Sequence, residues 1–425
     1  MAPWYEEAEF YHIYPIGLTG APRKNESEET VHRFSTLEQW LPHIADLGCT
    51  AIYIGPLFES TTHGYDTKDY KQVDRRLGDN ADFAAYVKKA HELGIKVVVD
   101  GVFNHTGREF FAFRDIQEKR EQSPYCGWYK GIWFGGNTCY NDGFSYEAWR
   151  NCFELVNLNL QNQQVRDYLL DVIDFWIDEF DIDGIRFDVG NEVSHRFLKE
   201  LRRQLKSVKP DLYLLGEIWH DASQWLGGDE YDSVMNYPLT SGIQDFFLDQ
   251  AAEKDEFEYM VNRCYTMYMQ QNNNVIFNLL DSHDTERLMN RCQDLDIFYQ
   301  QLAILFTMPG SPCIYYGTEI ALEGAHDPDC RRCMPWDEID SAENQKKIEL
   351  MKSLIRMRIQ EDACRSLYFD FPHKYSQKRC VEYRKLNLDG KWIEVLLNCG
   401  SEPIEIQGQG EILFARRCEG NSLDV

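Results

Sequence analysis

Eight apolar runs recur along the chain, separated by longer stretches in which apolar residues return every three or four positions. The runs are FYHIYPIG (10–17), TAIYIGPLF (50–58), KVVVDGVFNH (96–105), GIRFDVG (184–190), LYLLGEIW (212–219), SVMNYPL (233–239), NVIFNLLDSHD (274–284) and SPCIYYGTEI (311–320). Segments apolar almost throughout suit strands buried on both faces. The intervening LEQWLPHIADLG and NADFAAYVKKAHELG suit crossover helices, each with a glycine where a C-terminal cap belongs. Strands alternating with helices in this number predict the α/β class and a parallel (β/α)8 barrel.

Two stretches break the alternation. CGWYKGIWFGGNTCYNDGFSYEAWRNCF lies between the third run and a helix pattern near 162–180, and is too long for a structureless connection. It is expected to be a small subdomain, residues 105–153, inserted into a barrel made of 1–104 and 154–365. From about residue 366 to 425 short alternating runs, with NLDGK as a hairpin signal, predict a small antiparallel β domain.

Composition narrows the partners. A formal net charge of -26 is repelled by nucleic acid and by anionic membrane, but is indifferent to a neutral substrate. No window is long and apolar enough for a transmembrane span, and the N-terminal MAPWYEEAEFYHIYP has no basic-then-apolar leader pattern. Thirteen cysteines, an odd number scattered through a long chain, fit reduced thiols, so a cytoplasmic location is expected. Cys330 and Cys333 form a lone CxxC without a second pair or a thioredoxin-like context, and read as loop thiols. Nothing in the pattern sets an oligomeric state.

The stretch DIDGIRFDVGNEV (181–193) places Arg186 and Asp188 inside an apolar run. An EF-hand reading with Gly184 at the sixth position puts Glu179 first and Gly190 twelfth, so both key ligand positions are wrong. A solvated strand edge is the plain alternative. The two-residue strand period sends Arg186 and Asp188 to one face and Ile185, Phe187 and Val189 to the other, as an active-site strand requires.

Catalytic groups of a (β/α) barrel sit at the carboxyl ends of its strands. There the third run carries Asp100, Asn104 and His105, the fourth Arg186 and Asp188, the fifth Glu217, and the seventh His283 and Asp284. HExxH, GxSxG and GxxxxGK patterns are absent, which leaves carboxylates without a metal set. Paired carboxylates acting on a neutral substrate are the means of glycosidic-bond cleavage. Arg186 is expected to hold Asp188 ionised, and the neighbouring Ile218 and Trp219 to favour a protonated Glu217.

DGVFNH, GIRFDVGNEV, GEIW and LLDSHD, in this order at the strand ends, resemble the four signature regions of the α-amylase superfamily, glycoside hydrolase family 13. HGYDTKDY (63–70), WLGGDEYDSVMNYP (225–238) and DPDCRRCMPWD (327–337) are similar to its neopullulanase, cyclomaltodextrinase and maltogenic amylase branch. LVNLN (155–159) resembles that branch's fifth region, with Leu-Val-Asn where Met-Pro-Lys is usual. The resemblance implies a retaining hydrolase of α-1,4-glucans such as maltodextrins, cyclodextrins or pullulan. Asp188 would be the nucleophile and Glu217 the acid/base, about 5–5.5 Å apart, and Asp284 would bind hydroxyls of the ring being cleaved. His105 and His283 would donate to that ring, Tyr65 would stack on it, and Asp66, Asp327 and Arg331 would serve neighbouring subsites. Asp100 would hold Arg186 or the strand end.

In many amylases of the superfamily the asparagine matching Asn104 binds calcium and a Lys-His pair follows the nucleophile. Here that pair is Asn191 and Glu192, so no metal or other cofactor is expected to be required. With the first strand expected near residue 10, the branch's N-terminal β domain is not expected, and Trp128, Trp133, Tyr140, Phe144 and Trp149 of the insertion are candidates for sugar stacking. A 4-α-glucanotransferase or an exo-acting α-glucosidase would use the same three acids. A non-catalytic sugar-binding homologue would be expected to have lost one of them.

Overall fold

The computed structural model describes residues 2–407, 410–419 and 422–423. Eight parallel strands form one sheet: β1 Phe10–Ile13, β2 Ala51–Ile54, β3 Lys96–Gly101, β4 Gly184–Phe187, β5 Tyr213–Gly216, β6 Ser233–Val234, β7 Phe277–Leu279 and β8 Ser311–Tyr315. Each pairs with its neighbours in sequence, β8 returns to β1, and a single Met235–Phe277 bridge joins β6 to β7. The (β/α)8 barrel read from the eight apolar runs is therefore the fold.

Strand alternation sorts the side chains. Phe10, Tyr53, Val98, Leu215, Phe277 and Cys313 fill the barrel, while Ile52, Val97, Val99, Ile185, Phe187 and Leu214 face the helices. Helix α1, Phe34–Leu47, buries Phe34, Leu37, Leu41, Ile44 and Leu47, the spacing of one helical face. It stops at Gly48, whose φ of 98° is open to glycine and whose hydrogen faces Ile355, where a Cβ would lie 2.8 Å from Cγ2. Helix α2, Asn80–Glu92, starts on a reciprocal capping box of Asp79 and Asp82.

The strands are shorter than the apolar runs. Residues 237–239 belong to helix α3, Tyr237–Leu248, because Pro238 suits a first helical turn and Asn236 caps Leu239 N–H. β3 ends at Gly101, so Asn104 and His105 lie beyond it. His105–Gly107 instead pairs antiparallel with Leu155–Asn157 at the base of the inserted segment, which also holds the helix Phe111–Lys119. The seam between β6 and β7 is stitched by side chains: Ser233 Oγ donates to Val275 O at 2.7 Å and Asn236 Nδ2 to Asn278 Oδ1 at 2.8 Å.

After the barrel, β9 Tyr368–Asp370, β10 Cys380–Leu386 and β11 Trp392–Asn398 make an antiparallel sheet, with Gly390 at φ 77° in the NLDGK turn. Two-residue strands at 404–405, 418–419 and 422–423 form a second small sheet. Among the described residues no helix is long and apolar enough to cross a membrane.

Candidate active site

Register builds the floor of the site. β3 and β4 pair so that Asp100 lies beside Arg186, and Arg186 Nη1 donates to the two Asp100 oxygens at 2.8 and 3.0 Å. Tyr53 and Tyr65 hydroxyls both donate to Asp100 Oδ2 at 2.9 Å. Arg186, with no exposed surface, also reaches Asp188 Oδ1 at 3.1 Å from Nη1. Its Nη2 stands 2.9 Å from Glu217 Oε2 and 3.9 Å from Asp284 Oδ2, ion-pair distances without hydrogen-bond alignment. One buried guanidinium thus faces four carboxylates.

Asp188 and Glu217 each follow their strand by one residue, and the two strand ends are tied together. Glu217 N–H donates to Phe187 O and Gly190 N–H to Glu217 O. Val189 between them takes φ 47°, a left-handed conformation costly for a β-branched residue. Its N–H donates to Glu217 Oε2 at 2.9 Å. Trp219 Nε1–H donates to the other oxygen, Oε1, at 2.9 Å.

Asp284 enters from the loop after β7. Arg331 Nη2 donates to its Oδ1 at 2.9 Å, and His283 Nε2 lies 3.0 Å from Oδ2. The His283 ring is wedged between Tyr14 and Tyr65, hydrogen-bonds Tyr65 Oη, and meets His12 Nε2 through Nδ1 at 3.2 Å. His105 is buried with Nε2 3.9 Å from Asp188 Oδ2, and that nitrogen has no hydrogen-bond partner in the protein.

Burial and charge crowding act on these groups in opposite directions. Burial pushes the Asp188 carboxyl well above the usual carboxylate range; Arg186 opposes this, but Glu217, Asp100 and Asp284 reinforce it. Arg186, expected to hold Asp188 ionised, does lower it, but is shared with three other acids. Burial also works on Asp284, yet His283, Arg331 and Arg186 together hold it well below its usual range. Burial pushes the His105 imidazole down to about 3 and His12 well below its usual value. The apolar setting expected for Glu217 is likewise absent: its oxygens receive one backbone N–H, one indole N–H and a guanidinium.

Other expected residues divide. Asp327, half exposed, pairs with Arg331 Nε at 3.3 Å at the rim beside Asp284. Asp66 is buried, accepting from Thr62 N–H at 3.1 Å and Thr62 Oγ at 2.8 Å, so its carboxylate braces its own loop. In the insertion Phe144 and Trp128 are core, whereas Trp149 stands 6.2 Å from the His105 ring. Tyr140 lies under the Arg108 guanidinium at 3.7 Å, and Trp133 is exposed. Cys330 and Cys333 are free thiols.

Sequence reasoning missed His12, Tyr14, Tyr53 and Trp219. His12 and Tyr53 were legible as polar atoms on inward positions of β1 and β2, where burial demands a partner. Trp219 was read only as an apolar neighbour.

At the position matched to a calcium-binding asparagine, Asn104 turns its amide nitrogen toward Glu192 Oε2 at 3.4 Å, and Glu192 is exposed. Among the described residues the one cluster with metal-ligand spacing is His32, Asp79 and Asp82, whose two aspartates form the capping box of α2.

Acids gathered around an arginine at the mouth of such a barrel suit the cleavage of glycosidic bonds. The chain belongs to the alpha-amylase family, whose catalytic domain matches residues 33–368, and it is a glycoside hydrolase of that family. It is 39% identical over 417 residues to a cyclomaltodextrinase of Bacillus sp, covering 93% of this chain and 73% of that protein. It is 43% identical over 324 residues to an intracellular maltogenic amylase of Bacillus subtilis, covering 76% of this chain and 54% of the relative. A solved cyclomaltodextrinase superposes with a TM-score of 0.86 at 36% identity, covering 95% of this chain and 71% of that one. The branch suggested by HGYDTKDY and DPDCRRCMPWD is the one these relatives represent.

Proposed function

We propose that the protein hydrolyses α-1,4-glucosidic bonds of maltodextrins and cyclodextrins with retention of configuration. The observation that carries this reading is the convergence of Asp188, Glu217 and Asp284 on the Arg186 guanidinium. In the first step the Asp188 carboxylate attacks the anomeric carbon while the glycosidic bond breaks, and Glu217 gives its proton to the departing oxygen. In the second, Glu217 takes a proton from water, whose oxygen displaces Asp188 from the sugar. Crowding among the acids favours one proton in the pocket before substrate arrives. Arg186, within ion-pair distance of both Asp188 and Glu217, is placed to offset the charge on the pair throughout the two steps.

Asp284, ionised and pinned by Arg331, suits the hydroxyls of the reacting ring and the positive charge that develops on it. His105 Nε2 is a neutral donor or acceptor on the nucleophile side. No metal is needed for these steps: activity that survives exhaustive EDTA dialysis supports this, and loss restored only by calcium refutes it. A cytoplasmic location is supported by the chain's cysteine usage and by its similarity to a relative named intracellular.

The deciding experiment is a chromatographic time course on γ-cyclodextrin and maltohexaose. Ring opening at a rate comparable to linear cleavage supports an endo-acting enzyme on cyclic substrates. An intact ring beside consumed maltohexaose refutes the cyclodextrin part, with single glucose release marking exo action and longer products marking transfer to a sugar acceptor. Asp188→Asn should abolish turnover while still binding oligosaccharide.

A further inference from the structure

Both carboxylate oxygens of Glu217 face donors. Oε2 faces the Val189 N–H and the Arg186 Nη2, both fixed by the barrel. Oε1 is the oxygen left to carry a transferable proton, and the Trp219 indole N–H is aimed at it from 2.9 Å. A donor on a carboxylate oxygen favours the ionised form and fills the position that the leaving oxygen must approach. Trp219 is also the most exposed member of the set. Its side chain is 48% exposed, and it is held flat against the buried Tyr237 ring at 3.6 Å and 8°.

We propose that Trp219 is a positioning residue that keeps Glu217 disarmed in the free enzyme, and that an incoming glucan takes the place of its N–H on Oε1 and so arms the acid. This rests on the assignment of Glu217 as the acid. The other groups facing Glu217 are Arg186 and Asp188 of the β4 end, Tyr231 after β5 and Tyr237 after β6, with Asp284 reached through Arg186. None of them is removed by changing the indole, so a change at Trp219 reports on Oε1. Before substrate binds, the acid is withheld from water at the mouth; afterwards the sugar itself completes the pocket.

The test is the pH dependence of kcat/KM, which reports the free enzyme, against that of kcat, which reports the complex. For maltohexaose the wild-type alkaline limb in kcat should lie about one pH unit above that in kcat/KM, the shift expected for losing one charge-assisted hydrogen bond. In Trp219→Phe, which keeps a ring on Tyr237 but no N–H, the kcat/KM limb should rise to meet the kcat limb. Coincident limbs in the wild type, or a split that persists in Trp219→Phe, overturn the proposal. As a check that needs no variant, the indole ¹⁵N–H resonance of Trp219 should shift when a thio-linked malto-oligosaccharide binds the wild-type enzyme. An unmoved resonance overturns the proposal. Glu217→Gln separates the underlying reading: lost turnover of maltohexaose with a retained fluoride burst from α-maltosyl fluoride, whose leaving group needs no proton, upholds Glu217 as the acid. Undiminished maltohexaose turnover by that variant removes the acid assignment and the Trp219 proposal together, whereas a retained burst with a persistent split removes the Trp219 proposal alone.

Discussion

Asp188→Asn should make the protein more stable, and more so as pH rises. The Asp188 carboxyl is driven up by burial and by Glu217, Asp100 and Asp284 against the single opposing Arg186. A carboxyl whose folded pKa is raised binds its proton more tightly in the native than in the unfolded chain. Its contribution to stability is present below the ordinary value of 3.8 and drains away as pH rises through the folded value. Asparagine removes that drain. Its oxygen can still accept the 3.1 Å bond from Arg186 Nη1, and four carboxylates become three. Relief of an active-site conflict of this kind is worth about 1–2 kcal/mol. The unfolding entropy of about 2.1 cal/mol/K per residue means that 1 kcal/mol moves the Tm of a 425-residue chain by about 1 °C. Scanning calorimetry of both proteins should therefore find Asp188→Asn higher by about 1–2 °C at about pH 8, with the gap closing toward about pH 4. A variant less stable at the alkaline end, or a gap that widens on acidification, would refute the charge reasoning.

Arg186→Met leaves Asp100 buried without its counter-ion and should cost about 3–5 kcal/mol, read as a Tm drop of about 3–5 °C, with loss of turnover. His105, pushed down to about 3 against an ordinary 6.5, contributes stability that is full above about pH 6.5 and lost as pH falls toward 3, so His105→Gln should flatten the acid side of a Tm–pH curve; an unchanged slope would count against burial of a neutral ring. Tyr65→Phe removes one of two hydroxyls on Asp100 Oδ2 and the contact to His283, and should lower kcat by about tenfold with Tm within about 1 °C, checked by steady-state kinetics beside calorimetry.

The barrel was legible because its strands are buried on both faces, and burial writes itself as unbroken apolar runs. What the runs overstated was strand length: Pro238 already marked a helix start, and Gly101 already marked where the third strand lets go. The acids were legible because Arg186 and Asp188 interrupt an apolar pattern that has no use for charge. Their protonation was not, since it depends on Asp100 and Asp284, far away in the chain, sharing the same guanidinium. Asp66 shows the same limit from the other side, for its motif is intact while its carboxylate is spent on Thr62. Trp219 escaped because sequence records an indole as apolar surface, and only the fold shows where its one N–H points.

A ring closed by backbone ladders on seven sides and by a single bridge on the eighth is mechanically a bracelet with a clasp. The clasp lies between β6 and β7, where Ser233, Asn236 and Asn278 fasten what the ladder does not. Local opening is easiest where backbone pairing is thinnest, and the loop that follows β7 delivers His283 and Asp284. The joint at which backbone pairing is thinnest is thus the one next to the loop of Asp284, while Asp188 and Glu217 follow strands on the unbroken arc. Two of the three acids are anchored to the rigid part of the ring, and the third hangs from its fastening.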